Sequence, residues 1–266
     1  MAAFAQKLGR PLTAVLALGD NFYGKLEPER FGPHFEDMYS REHLNCPFYA
    51  CLGNHDYGPQ YDSRQGRAKA QIQLDYAREN PSSRWKMPGH WYSVELPNAE
   101  NPIVKIIFLD GNMAEWGLTP REKIDQRHFL KAELEKETKA PWRWVVSHFP
   151  LYTETAKRND NERLIKEWAD ELQAHKVSMY LSGHDHNLQH LKVDGHKTSF
   201  IVSGAGGAGL YEVKEAQRGY AQKILGFTHL HVNREVATVQ YIDSHGQCLH
   251  SFRRLQNGKI ETVTKA

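Results

Sequence analysis

Four times along this chain an apolar run ends in a glycine or small residue and passes straight into side chains able to bind a metal. That recurrence restricts the fold more than any other feature. The four stretches are ALGDNFY (17–23), CLGNHDYG (51–58), VVSHFP (145–150) and YLSGHDH (180–186). A short apolar run of this kind reads as a buried strand. In α/β sheets, ligands collect beyond the carboxyl ends of the strands. One such cluster is ordinarily a turn or a cap, whereas four with the same placement imply strand ends that converge on one centre.

The rest of the chain fits that frame. Strand-like runs are Leu12–Leu18, Phe48–Leu52, Trp91–Leu96, Val104–Asp110, Trp144–His148, Met179–Gly183, Thr198–Ser203, Gly226–Val232, Ala237–Tyr241 and Cys248–Arg253. The last three follow one another through short turns and read as an antiparallel meander. Thr119-Pro120-Arg121-Glu122 is a capping box with proline at the first helical position, leading into Ile124, Leu130 and Leu134. Residues 161–175 put Leu164, Ile165, Trp168 and Leu172 on one helical face. Residues 57–90 are polar, with Pro81, Pro88 and Gly89, and read as a long surface excursion. Strands alternating with helices give an α/β layered fold. No repeat or linker divides residues 1–266, so one domain is expected.

Composition narrows the function classes. The 34 basic and 32 acidic residues leave a net charge of +2, too balanced to argue for nucleic acid or an anionic membrane as partner. No apolar stretch is long enough to span a bilayer. Residues 1–9 lack a basic segment leading into an apolar core, so no signal peptide is visible. Cys46, Cys51 and Cys248 are an odd set with no CxxC spacing, expected to be buried free thiols.

The ligand chemistry sorts by residue type. Asp20 and Tyr23 offer hard anionic oxygens suited to ferric iron. Asn54 offers a neutral amide oxygen, and His148, His184 and His186 offer imidazole nitrogens that suit iron, zinc or manganese. On an extended segment His184 and His186 point the same way and so can serve two adjacent ions. A carboxylate such as Asp20 can bridge such a pair. His55, beside Asn54, suits contact with a phosphate or proton donation to a leaving group. For Asp56, a turn cap and an orienting partner for a histidine stand equally.

GDNFY, GNHD, a histidine followed by Phe-Pro, and GHDHNLQHL together resemble the metallophosphoesterases, and more narrowly the purple acid phosphatases of the small, tartrate-resistant type. WKMPGHWYS (85–93), IVSGAGG (201–207) and TVQYIDSHGQCL (238–249) extend the resemblance over essentially the whole chain. It implies an αββα sandwich of two mixed β-sheets flanked by helices. It also implies a dinuclear centre of Fe(III) plus a divalent Fe, Zn or Mn. In that centre Asp20 bridges, Tyr23 and His186 hold the ferric ion, and Asn54, His148 and His184 hold the divalent one. His55 contacts the phosphate, and a metal-bound hydroxide attacks a phosphomonoester substrate.

Two departures from the pattern carry expectations of their own. The family has an earlier glycine–aspartate turn supplying a further ferric ligand, and only 19 residues precede Asp20 here. A strand–helix–strand unit needs about 30, so a truncated sequence lacking the first strand is expected. Tartrate-resistant relatives also place a histidine in the loop after the third motif. Here that loop, LYTETAKRNDNERL (151–164), has none. Contact of Lys157 or Arg158 with the substrate phosphate is one reading of that loop, and a solvated loop charge is the expected one. The competing readings are a nucleotide or cyclic-nucleotide phosphodiesterase, against which Tyr23 argues, and a non-catalytic protein binding one divalent ion or phosphate through Asn54, His148 and His184.

Overall fold

The structure, a computed structural model, describes residues 1–57, 64–114, 117–215 and 218–263. Its frame is a seven-stranded mixed sheet in the order β10-β8-β9-β7-β6-β5-β4. The strands are β4 (Tyr92–Leu96), β5 (Val104–Phe108), β6 (Trp142–Val146), β7 (Met179–Ser182), β8 (Leu188–Leu191), β9 (Ser199–Ser203) and β10 (Gly219–Gln222). Neighbours β5, β6, β7 and β9 run parallel, with β4, β8 and β10 antiparallel at the two sides. The parallel strands are buried on both faces, as VKIIF of β5 shows with every residue buried.

A second layer covers one face of this sheet. It is built from a parallel sheet of β1 (Val15–Ala17), β2 (Phe48–Ala50) and β3 (Trp85–Lys86), and an antiparallel meander of β11 (Gly226–Val232), β12 (Val236–Asp243), β13 (Cys248–Leu255) and β14 (Ile260–Thr262). Polar bonds cross between the layers. The Tyr92 hydroxyl donates to the Ala50 carbonyl at 2.8 Å, and the Tyr241 hydroxyl to the Gln189 carbonyl at 2.6 Å.

Helices flank both layers. On the outer face of the seven-stranded sheet, α3 (Pro120–Glu135) is tied to β5 by Lys105 Nζ donating to the Glu133 carbonyl at 2.7 Å. Residues 162–174, α4, set Trp168 against Tyr180 of β7 and contain a π-helical turn at Ile165–Ala169. Against the second layer lie α1 (Ala2–Leu8), whose Phe4 meets Phe227, and α2 (Arg64–Glu79), whose Tyr76 stacks on Phe31. The expected αββα order of layers is present, with the second layer hydrogen-bonded as two separate sheets.

Several local expectations change. Residues 57–90 are not a surface excursion, since α2 and β3 lie within them. The strands β3, β8, β10 and β14, two to four residues long, add to the expected set. The capping box of α3 is present, with Thr119 Oγ1 accepting from the Glu122 N–H at 3.2 Å and the Glu122 carboxylate accepting from the Thr119 N–H at 2.7 Å. Leu130 and Leu134 are buried as expected, but Ile124 is 45% exposed. All three cysteines are free, Cys46 and Cys51 buried and Cys248 partly so. No helix among the described residues is long and apolar enough to cross a membrane.

Candidate metal centre

The four motifs follow β1, β2, β6 and β7, strands that run parallel in pairs within the two layers. Within each pair the chain therefore leaves both strands at the same end. Cross-links lock these exits together. The Cys51 N–H donates to the Ala17 carbonyl at 3.0 Å, and the Gly183 N–H to the His148 carbonyl at 2.9 Å. His148 Nδ1 donates to the Leu18 carbonyl at 2.7 Å, joining the two layers.

Close approach at this junction requires glycine. Gly19 sits at φ 84, and a Cβ on Gly53 would lie 2.3 Å from both the backbone nitrogen and Oδ1 of Asp20. Asp20 and His184 themselves occupy the left-handed region, with φ of 55 and 60. Backbone strain of this sort persists only where surrounding structure over-determines it, and it concentrates at functional sites.

Two clusters of electron-pair donors result, sharing one carboxylate. In the first, His148 Nε2 lies 3.1 Å from Asn54 Oδ1, 3.1 Å from His184 Nδ1 and 3.3 Å from Asp20 Oδ1. Asn54 Oδ1 is also 2.9 Å from His184 Nδ1. In the second, Tyr23 Oη lies 3.3 Å from Asp20 Oδ2 and 3.4 Å from His186 Nε2. Because His148 Nδ1 and His186 Nδ1 are spent on the carbonyls of Leu18 and Gly209, each ring directs Nε2 into its cluster. Lone pairs of imidazole, amide and carboxylate facing one another at such spacings repel unless protons or a cation lie among them. The donor set therefore fits a pair of cations, and Asp20, His148 and His184 bring donor atoms within 4.8 Å of one another.

All six candidate ligands come together, although not quite as the sequence implies. Segment 184–187 is a bend rather than a strand. His184 and His186 reach separate clusters because His184 is turned by its positive φ, not because an extended chain alternates.

Charge in the site is strongly biased. Burial pushes the Asp20 carboxyl up, but hydrogen bonding and charge from His148, with the His55 N–H, outweigh it and hold Asp20 ionised far below the usual carboxylate range. Burial and the Asp20 charge push the Tyr23 phenol up. Burial, with the charges of His148 and Arg158, drives the His184 imidazole down to about 2, so it stays neutral with a lone pair to give. A bound cation would reverse the shift on Tyr23 and favour its phenolate.

Residues behind the ligands support this arrangement, Asp56 among them and, unseen in the sequence, Lys69 and Gln73. Asp56 is fully buried and accepts N–H groups from Gly53 (2.8 Å), Asn21 (3.2 Å) and Phe22 (3.2 Å), plus Gln73 Nε2 at 3.0 Å. It is thus a loop anchor and not a histidine partner. Lys69 Nζ bonds the carbonyls of Phe22 and His55. Lys69 and Gln73 stand one turn apart on α2, the helix hidden in the stretch that reads as a loop. At the mouth of the site His55 is exposed, with its ring 4.3 Å from that of Tyr23. Tyr211 stacks on His186 at 4.3 Å, and Arg158 touches His184.

Comparisons with known proteins bear on the family and the fold. A family model described as calcineurin-like phosphoesterase matches residues 2–188. Tartrate-resistant acid phosphatase type 5 of Mus musculus is 30% identical over 264 residues, covering 88% of this chain and 76% of that protein. The solved structure of GAP50, titled the anchor in the inner membrane complex of Plasmodium, superposes with a TM-score of 0.73 at 20% identity, covering 99% of this chain and 82% of that one. Purple acid phosphatase PPD1 from yellow lupin seeds superposes with a TM-score of 0.67 at 19% identity, covering 99% and 51%. At those identities the two structures speak for the fold alone.

Proposed function

This chain belongs to the calcineurin-like phosphoesterase family, and we propose that it is an acid phosphatase that hydrolyses phosphate monoesters at a dinuclear metal centre. The observation that carries the reading is the pair of donor clusters sharing Asp20, one built on Asn54, His148 and His184, the other on Tyr23 and His186. The second cluster contains a phenol and a carboxylate, hard oxygens that suit ferric iron, while the amide and imidazole donors of the first accept divalent Fe, Zn or Mn. Bound there, two cations would polarise the phosphoryl oxygens, neutralise the charge that grows on them and lower the pKa of a water.

The chain's own residues do the rest. The buried His148 and the His55 N–H, 2.8 Å from Asp20 Oδ1, fix the shared carboxylate so that each oxygen faces one cluster. The Gly209 and Leu18 carbonyls hold the tautomers of His186 and His148, as second partners of metal-binding histidines commonly do. The His55 ring, exposed beside Tyr23, would meet the phosphate or give a proton to the departing alkoxide.

Metal analysis together with turnover of p-nitrophenyl phosphate tests the reading. Two metals per chain, a visible ferric–phenolate band and monoester hydrolysis are expected. Two metals without colour would indicate another metallophosphoesterase activity, and one metal or none without turnover a non-catalytic protein. Asp20→Ala should remove turnover and most of the bound metal. Near wild-type activity with both metals retained in that variant would sink the assignment.

A further inference from the structure

Arg158 lies in the segment whose sequence reads as a solvated loop, yet it is built into the site. Its stretch of backbone is pinned to the segment at 212–214. The Ala156 N–H donates to the Glu212 carbonyl at 2.8 Å, the Lys214 N–H to the Glu154 carbonyl at 2.7 Å, and Lys214 Nζ to the Arg158 carbonyl at 2.9 Å. The side chain is held from three sides. Nε lies 3.1 Å from Oδ1 of the fully buried Asp185, Nη1 touches His184 Nε2, and the guanidinium carbon stands 5.1 Å over the Tyr211 ring. Asp185 is itself fixed by the hydroxyls of Thr153 and Thr155. A guanidinium anchored to a buried acid and an aromatic face is pre-organised, whereas a free loop charge is not.

Its contact with His184 depends on which nitrogen carries the proton. An Nη1–H donates to Nε2 only while Nε2 holds a lone pair. Once His184 Nδ1 gives its own lone pair to a cation, the ring proton sits on Nε2 and that contact becomes N–H against N–H. The side chain is 34% accessible, so a guanidinium released from that contact has solvent beside it to turn into.

Building on the dinuclear phosphatase reading above, we propose that Arg158 is the substrate clamp of this site. In the metal-loaded protein its fork binds two non-bridging oxygens of a phosphomonoester dianion. This contact takes the place of the loop histidine that the sequence pattern lacks. A planar fork with parallel N–H groups matches a terminal phosphoryl group in two-point contact, and it carries its charge at every working pH. A phosphodiester, with one oxygen esterified further and a single negative charge, offers a poorer match. The site is therefore built for terminal, dianionic phosphates.

The test compares wild type, Arg158→Gln and Arg158→Lys as metal-loaded protein. The measurements are metal content, steady-state turnover of p-nitrophenyl phosphate and bis(p-nitrophenyl) phosphate, and calorimetric binding of inorganic phosphate. Arg158→Gln is expected to keep both metals and to raise the monoester KM and the phosphate Kd at least about tenfold, with the diester KM raised by a clearly smaller factor. Arg158→Lys should fall between, since an ammonium supplies charge without the fork. An unchanged phosphate Kd, an equal fall on monoester and diester, or loss of metal from both variants would overturn the clamp. If wild type fails to hydrolyse p-nitrophenyl phosphate, the phosphatase reading fails, and the calorimetry still decides the clamp. A weaker phosphate Kd in Arg158→Gln than in wild type upholds it, and equal affinities overturn it.

Discussion

Gly53 allows Asp20 to turn into the centre because it has no side chain, and a Cβ there would lie 2.3 Å from Asp20 Oδ1. Gly53→Ala is expected to displace the shared carboxylate, lowering metal content per chain and destabilising the fold by about 1–3 kcal/mol, the usual cost of overpacking. Elemental analysis and denaturant unfolding check both effects. Unchanged metal loading would show that the contact is not restrictive. At this scale the ligands were legible because each lies directly behind an apolar strand and a small residue. Arg158 was not. Nothing in AKRND marks one cation above its neighbour, and only the register of 154–156 against 212–214 brings it to His184. Asp56 was half legible: its turn is visible in sequence, but the number of N–H groups converging on it is a property of three elements together.

Among the elements, α3 was the plainest, since its start is written in four adjacent residues. Its Glu122 also pairs with Arg67 of α2 at 3.1 Å, joining the two helices. Burial pushes the Glu122 carboxyl up, but the Arg67 hydrogen bond and the Thr119 groups pull it from 4.5 down to about 2. A depressed acid stabilises the fold above its unfolded pKa and loses that contribution as pH falls through its folded pKa. The difference in melting temperature between wild type and Glu122→Gln should therefore be largest above pH 4.5, shrink as pH falls toward 2 and vanish only below it. A constant difference across that range would mean the ion pair contributes no stability of its own. The helix α2 escaped detection for a physical reason. Its inward face carries Lys69 and Gln73, which serve the motif loops instead of an apolar core, so the apolar period of 3.6 is blurred. In α4 the π-helical turn at Ile165–Ala169 shifts the apolar positions without ending the helix.

The whole molecule depends on its two β-layers holding still against each other, because the ligands come from both: Asp20, Tyr23 and Asn54 from one, His148, His184 and His186 from the other. The buried Tyr241 hydroxyl is one of the bonds across that interface, 2.6 Å from the Gln189 carbonyl. Tyr241→Phe is expected to cost about 1 kcal/mol in denaturant unfolding, the loss of one buried hydrogen bond, while metal content stays constant. A loss of metal in that variant would mean that the interface positions the site as well as stabilising it. By itself the sequence determined the α/β class, the order of the main strands and the six candidate ligands with His55, because those features are local: apolar runs, glycine corners and the chemistry of adjacent side chains. The tertiary structure decided which oxygen of Asp20 faces which cluster, the pinning of both motif loops by Asp56, Lys69 and Gln73, and the seating of Arg158 at the mouth. Several of these are contacts between residues as far apart in the chain as Asp20 and His148 or Tyr23 and His186, and the spacing of the sequence carries no record of them, since they are set by the packing of one sheet on another.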